Sequence, residues 1–161
     1  MTVTPRLRRV RSASASLLRQ LSGLYQAVDM RVRRPAEMAR AIRFSDLSIA
    51  AFAGERLIGF GRMISDRSYY GALWDIAVHP SQQGRGVGRL IVRRLLERAR
   101  RRRLVIVGLF TAAENDRFYE NLAFRKLAKI HAMTTSPTAF LDRKQKTRGA
   151  KANGQDRNHR R

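Results

Sequence analysis

Apolar positions in the first half of the chain recur at two different spacings. Between residues 17 and 28 they return every three or four positions, which is typical of an amphipathic helix. A second helix is predicted from Pro35 to Ile42, because proline is favoured in the first helical turn. The stretch LSIAAFAGERLIGFGRMIS, residues 47–65, predicts two strands joined by a tight turn at Gly54-Glu55.

The second half of the chain alternates strand and helix patterns. The predicted elements are a strand at 72–78, a helix at 87–101, a buried strand at 103–110, a short helix at 114–122, and one or two strands within 125–135. The helix at 87–101 has an apolar stripe on one side and arginines on the other. Helices that alternate with strands after an early strand pair predict an α/β fold with a mixed sheet.

Positive charge is concentrated at the two ends of a strongly basic chain. The 161 residues carry a formal net charge of +22. Residues 137–161 are polar and lack periodicity, so they are predicted to be a disordered basic tail. Residues 1–16 are interpreted as a disordered basic N-terminus, although their arginines and serines also fit an organelle-targeting segment. The predicted folded domain is therefore 17–136.

Several classes of chemistry are excluded by residue types. The chain has no cysteine, which rules out disulfides and thiolate chemistry. Its three histidines, His79, His131 and His159, show no metal-ligand spacing, so no metal site is predicted. No run of about 18 apolar residues occurs, so no membrane contact through a spanning helix is predicted.

A glycine-rich turn precedes the helix predicted at 87–101. Gly84, Gly86 and Gly88 occupy alternate positions there, although glycine costs a helix about 1 kcal/mol relative to alanine. Such a turn aims backbone N–H groups and the positive end of a helix at one point, which is how proteins bind phosphate groups. Arg85 and Arg89 add positive charge. The alternative is a helix entry with flexible glycines and no ligand.

The spacing of the turn rejects two common phosphate motifs and matches a third. Both a Walker loop and a dinucleotide fingerprint fail because Arg89 stands where each needs glycine. Gln83-x-x-Gly86-x-Gly88 matches the [QR]-x-x-G-x-[GA] coenzyme A signature of the GNAT superfamily of acetyl-CoA-dependent N-acetyltransferases. The chain also resembles the small bacterial, cyanobacterial and plastid GNAT proteins that include plant serotonin N-acetyltransferase. That resemblance extends over approximately residues 17–130.

The resemblance implies a fold and a coenzyme site. The fold is a single-domain GNAT fold, whose mixed, mostly antiparallel and twisted sheet splays at the acetyl-CoA cleft and is flanked by helices. Acetyl-CoA is the implied co-substrate, with no metal. Backbone groups of Ile76, Ala77 and Val78 would hydrogen-bond the pantetheine arm, and the turn would hold the pyrophosphate through Gln83, Gly84, Arg85, Gly86, Val87, Gly88 and Arg89.

Tyr119 is the first implied catalytic residue. It matches the tyrosine that faces the coenzyme sulfur in this superfamily, where its hydroxyl donates a proton to the departing thiolate. The alternative is a tyrosine that packs on the core. Two positions depart from the family pattern: Ala112 stands where Asn or Asp is usual, and Ala123 stands where a glycine usually ends the tyrosine helix. We therefore expect a lost polar contact at Ala112, and at Ala123 a non-glycine residue in a C-terminal cap conformation.

Asp75 is the second implied catalytic residue and the favoured base. On a regular strand it would point away from Trp74 and Ile76, toward the acceptor cleft, and relay a proton through water. The alternative is a structural carboxylate paired with an arginine. Glu114 and His79 are weaker candidates, and His79 is interpreted as closing the strand before Pro80.

These residues predict an N-acetyltransferase. It would move the acetyl group of acetyl-CoA by direct attack to a primary amine, which is an arylalkylamine, another small amine or a protein amine. A basic surface attracts the anionic coenzyme and disfavours polyamines. The alternative is a basic nucleic-acid-associated protein, acting through its tail and arginine-rich helix face, with a coenzyme A-binding but weakly active or inactive GNAT core. A cytoplasmic monomer or homodimer is predicted, with a plastid or other organelle as the alternative compartment.

Overall fold

An open five-stranded sheet forms the centre of the molecule. The structure is a computed structural model that describes residues 4–127. Within them the strands lie in the order β1-β2-β3-β4-β5; β1 to β4 are antiparallel neighbours, and β5 runs parallel to β4. The elements are β1 (Arg6–Val10), α1 (Ala15–Ala27), α2 (Pro35–Phe44), β2 (Leu47–Ala53), β3 (Arg56–Ser65), β4 (Tyr70–Val78), α3 (Val87–Arg101), β5 (Ile106–Gly108) and α4 (Asp116–Glu120), with single 3-10 turns at Pro80–Gln82 and Ala113–Asn115.

Helices cover both faces of the sheet. Leu21, Leu24 and Tyr25 of α1 pack with Phe60 of β3 on one face, together with apolar residues of α2. On the other face the apolar stripe of α3 packs against β2, β3 and β4, and the cluster extends to Tyr119 of α4. Because the sheet is buried on both faces, β2 is apolar almost throughout rather than alternating.

Most of the predicted elements are confirmed. The helices predicted at 17–28 and from Pro35 to Ile42 correspond to α1 and α2, and α3 spans the predicted 87–101. The two strands that meet at Gly54-Glu55 are β2 and β3. No helix within residues 4–127 has the length and apolar character that a bilayer crossing requires.

The prediction of a disordered N-terminus is wrong for residues 6–10. They form β1, an edge strand paired with β2 from Arg6↔Phe52 to Val10↔Ser48. An edge strand tolerates long basic side chains, because one of its edges faces solvent and their aliphatic stems cover apolar surface. The guanidinium of Arg8, for example, lies 5.3 Å from the ring centre of Phe52.

The apolar run at 103–110 is not the buried strand that was predicted. Only Ile106–Gly108 is strand, and Val105 and Ile106 are 78% and 55% exposed. The run begins directly after α3, at Arg103, which has a left-handed φ of 57°. Its first residues therefore form the connection from the helix and not a strand. The strands predicted within 125–135 begin with three residues, 125–127, that are not in a strand; the remainder lies outside the described residues.

Candidate active site

The sheet opens along one side of β4. The parallel pairing with β5 covers only Tyr70, Gly71 and Ala72, whereas β4 continues to Val78. Among the described residues, no strand pairs with 73–78 on the side that faces β5. We call this stretch of free strand edge the β4 opening. Its backbone N–H and C=O groups are available to an extended ligand, as the edge of a sheet is to an added strand.

A bulge in β4 accounts for the opening. Arg62 is opposite Trp74 and Phe60 is opposite Ala77, so two residues of β4 share one position of β3. Within this bulge Asp75 has a φ of 55°, in the left-handed region. A bulge bends its strand and increases the local twist, which turns the second half of β4 away from β5.

The bulge also changes where Asp75 points. Arg62 Nε donates a hydrogen bond to Asp75 Oδ2 at 2.5 Å, and the Tyr25 hydroxyl from α1 also bonds the carboxylate. The carboxylate therefore lies on the α1 face, with Arg62, the cross-strand partner of Trp74. The prediction that Asp75 points opposite to Ile76 is confirmed, because Ile76 packs with the α3 cluster. The same prediction is wrong for Trp74, because the bulge interrupts the alternation between Trp74 and Asp75. The ion pair with Arg62 agrees with the alternative interpretation, in which Asp75 is a structural carboxylate paired with an arginine.

The burial of Tyr25 beside Asp75 makes the stability of the fold depend on pH in the alkaline range. Burial is the largest cause that raises the pKa of Tyr25 far above its ordinary value of about 10, and the negative charge of Asp75 adds to it. Above pH ~10 the unfolded chain loses the Tyr25 proton and the folded chain keeps it, so stability falls as pH rises. We expect Tyr25→Phe to reduce the loss of stability between pH 9 and pH 11 by about 1.4 kcal/mol in total, because the full effect develops only above pH 10.

Urea unfolding at pH 9, 10 and 11 measures this effect. Tyr70→Phe is the matched control, because Tyr70 is 57% exposed and does not contact Asp75. Equal slopes for wild type and Tyr25→Phe would contradict the assignment.

The glycine turn joins the end of β4 to α3. Gly84 and Gly86 have φ values of 74° and 82°, and a Cβ at either position would meet open space within 4 Å. These two glycines are therefore needed for left-handed backbone rather than for packing. Gly86 is the N-cap of α3, so the first N–H groups of the helix have no intrahelical partner and lie at its positive end.

Two other residues of the motif serve packing and anchoring. The side-chain Nε2 of Gln83 donates to the Val78 carbonyl at 3.0 Å, which ties the turn to the end of β4. A Cβ on Gly88 would lie 3.2 Å from Phe118 Cζ and 3.4 Å from Val78 Cγ2. The space predicted around the glycines is thus present at Gly84 and Gly86 and absent at Gly88, where α3 packs on α4.

Tyr119 lies on the α3 face of the sheet. It is 9% exposed, and its ring centre lies 4.9 Å from that of Phe118 and 5.7 Å from that of Phe124. Burial raises the pKa of Tyr119, and a hydrogen bond with the Thr111 side chain opposes that shift. Thr111 follows β5 by three residues, so the phenol oxygen lies near the β5 side of the β4 opening. Tyr119 and Asp75 consequently lie on opposite faces of the sheet.

The other candidates have local structural contacts. His79 Nε2 accepts from Arg56 Nη2 at 3.1 Å, and its Nδ1 lies 2.9 Å from Ser81 Oγ, which fits the interpretation that it closes the strand. Glu114 is exposed in the turn that begins after Ala112. No group of three His, Asp or Glu side chains that could hold a metal ion occurs within residues 4–127.

The non-glycine cap expected at Ala123 is confirmed. Ala123 has a φ of 68°, in the left-handed region where glycine is favoured. The N–H of Phe124 donates back to the Tyr119 carbonyl at 3.1 Å, which closes the end of α4.

Residues 14–124 match the model of the acetyltransferase (GNAT) family. The chain belongs to the GNAT family. Its structure resembles that of a probable acetyltransferase from Staphylococcus aureus, with a TM-score of 0.70 and 20% identity over 80% of this chain and 98% of the other. The family therefore accounts for the fold, including the open sheet.

The chain is also similar in sequence to curated N-acetyltransferases. It is 30% identical over 100 residues to the uncharacterized N-acetyltransferase ycf52 of Pyropia yezoensis, covering 59% of this chain and 58% of that protein. It is 30% identical over 102 residues to chloroplastic serotonin N-acetyltransferase 2 of Oryza sativa subsp. japonica, covering 63% and 50%. The chain thus aligns with about half the length of these relatives.

Proposed function

We propose that this GNAT protein transfers the acetyl group of acetyl-CoA to a primary amine of the arylalkylamine class. One observation carries the proposal: the β4 opening leads directly into a turn with two left-handed glycines at the start of α3. An extended pantetheine arm fits the free edge of a strand, and a diphosphate fits unpaired amides at the positive end of a helix.

The described residues fit coenzyme A in chemistry and in space. Ile76, Ala77 and Val78 would bond the arm through their backbone groups at the open edge of β4. The turn from Gln83 to Arg89 would hold the diphosphate, because no side chain fills the space at Gly84 and Gly86. The exposed side chains of Arg85 and Arg89 would add positive charge at its edges.

The proposed reaction is a direct acetyl transfer. The amine nitrogen attacks the thioester carbonyl carbon, the C–S bond breaks, and the thiolate takes a proton from the Tyr119 hydroxyl. The amine loses its proton through water to Asp75, which remains the proposed base. The ion pair with Arg62 would hold the carboxylate of Asp75 in a fixed position.

An aromatic acceptor is favoured by the surface beside the opening. The rings of Trp74 and Phe110 lie 5.8 Å apart, and Phe110 is 58% exposed. Offset or tilted aromatic contacts contribute about 0.5–1.5 kcal/mol beyond their buried area. Similarity to a relative named for serotonin acetylation supports the same class. A net charge of +22 disfavours polyamines.

A panel of acceptors tests the activity and its class. Coenzyme A release is measured for the full chain with acetyl-CoA and an arylalkylamine, an aliphatic monoamine, a polyamine or a lysine peptide. We expect the arylalkylamine to give a kcat/KM at least tenfold above the polyamine. DNA binding at two salt concentrations is the parallel assay. Salt-sensitive DNA binding without turnover of any amine would contradict the proposal and favour the nucleic-acid alternative.

The cellular compartment and the oligomeric state of the protein remain predictions. The rice relative is chloroplastic by name, which supports the organelle alternative over the cytoplasmic one. A monomer or homodimer remains the expected assembly.

A further inference from the structure

A cavity lies between α3 and the first two strands, apart from the β4 opening. Its volume is about 230 Å³. Aliphatic side chains of Leu7 on β1, and of Leu47 and Ile49 on β2, line its apolar part. We call this cavity the α3–β1 groove. None of the residues that the resemblance assigns to coenzyme or catalysis lines it.

Charged side chains surround the apolar part, and two of the arginines are already paired. Arg94 Nη1 contacts Glu97 Oε2 at 3.0 Å, and both residues line the groove. Arg98 Nε contacts Asp46 Oδ2 at 3.3 Å, and the side chain of Asp46 is 3% exposed. These pairs fix the two arginines and offset their charge.

Arg9 and Arg101 line the same groove without such an offset. In the part of the chain that the structure describes, neither has a carboxylate within salt-bridge distance. Arg9 comes from β1 and Arg101 from the last turn of α3, so the groove receives guanidinium groups from two elements. A guanidinium binds a carboxylate through two parallel hydrogen bonds, and a bound anion would also relieve the repulsion between like charges.

The groove has room for a small molecule. An apolar protein cavity of ~150 Å³ holds benzene, so 230 Å³ accommodates a carboxylate with about six carbons. We propose that the α3–β1 groove binds a short-chain organic monocarboxylate, with its carboxylate on Arg9 and Arg101 and its apolar chain against Leu7 and Ile49. The site is independent of acetyl transfer.

Titration of the full chain with hexanoate tests the site. We expect calorimetry at low salt to detect hexanoate binding, and hexanol and inorganic phosphate to bind at least tenfold more weakly. Hexanol lacks the charge and phosphate lacks the apolar chain, so the comparison separates the two contributions. Saturating coenzyme A should leave hexanoate affinity within twofold, because the two sites differ.

Three variants assign the binding to the groove. Arg9→Gln and Arg101→Gln should each weaken hexanoate binding at least fivefold. Arg93→Gln is the matched control, because Arg93 is exposed on the same helix outside the groove and its loss changes the net charge equally. Equal weakening by Arg93→Gln, phosphate binding as tight as hexanoate, or displacement of hexanoate by coenzyme A would each overturn the proposal. Absence of hexanoate binding would overturn it too.

Discussion

Gly86→Glu should raise the Kd for coenzyme A at least a hundredfold. At a φ of 82° any side chain strains the backbone by roughly 1–2 kcal/mol. The new carboxylate would also stand at the positive end of α3, in the space proposed for the diphosphate. A hundredfold loss corresponds to about 2.7 kcal/mol. We expect this from charge repulsion in the complex together with relaxation of the strained free turn, which binding would have to reverse. Calorimetric titration of the folded variant with coenzyme A measures the change.

Gly54→Glu separates a local effect from a general one. Gly54 also has a left-handed φ, of 58°, and open space around its Cα, but it lies in the turn between β2 and β3. The control therefore introduces similar strain and the same charge, and it should bind coenzyme A within twofold of wild type. Gly86→Ala adds the strain without the charge and should fall between them. Wild-type affinity in a folded Gly86→Glu protein would remove the turn from the site.

Tyr119→Phe should lower kcat by about a hundredfold, the size of a typical general-acid contribution. The ring contacts with Phe118 and Phe124 stay, so the fold and the KM for acetyl-CoA should change little. Because burial raises the pKa of Tyr119, its hydroxyl keeps its proton at neutral pH and remains a donor. Steady-state kinetics with the best amine of the panel measure the change.

Two comparisons distinguish proton donation from packing. Thr111→Val removes the hydrogen bond to Tyr119 but leaves the donor, so we expect less than a threefold loss in kcat. An acetyl thioester with a more acidic thiol needs less protonation of its leaving group. With such a thioester, the difference in kcat between Tyr119→Phe and wild type should be smaller. A variant within threefold of wild type with acetyl-CoA would assign Tyr119 to the core alone.

Local patterns in the sequence predicted the helices and the glycine turn well. The spacing of apolar residues predicted the bounds of α3, since helical periodicity is carried by neighbouring residues. β1 was missed because three of its five residues are arginines, and these hide the alternation that marks a strand. The length of β5 was overestimated. The length of this strand depends on how many residues of β4 pair with it, and only three do.

The surroundings of Asp75 could not be predicted from local patterns. Its partners Tyr25 and Arg62 lie on α1 and β3, far away in the sequence. The bulge that aims its carboxylate depends on the pairing of β4 with β3 opposite Gly61. A glycine within a strand is compatible with a bulge but does not say how the partner strand bends. Residue type and family resemblance therefore made Asp75 a candidate base, whereas the direction of its side chain depends on the fold.

The bulge in β4 affects how a ligand binds at the β4 opening. Its hydrogen-bonded register with β3 is set when the chain folds, so the gap beside β5 is built before any ligand arrives. We therefore expect the free edge of β4 to need little ordering when a ligand binds, which is the advantage of a preorganised receptor. Association should accordingly follow one simple exponential, with a rate proportional to ligand concentration.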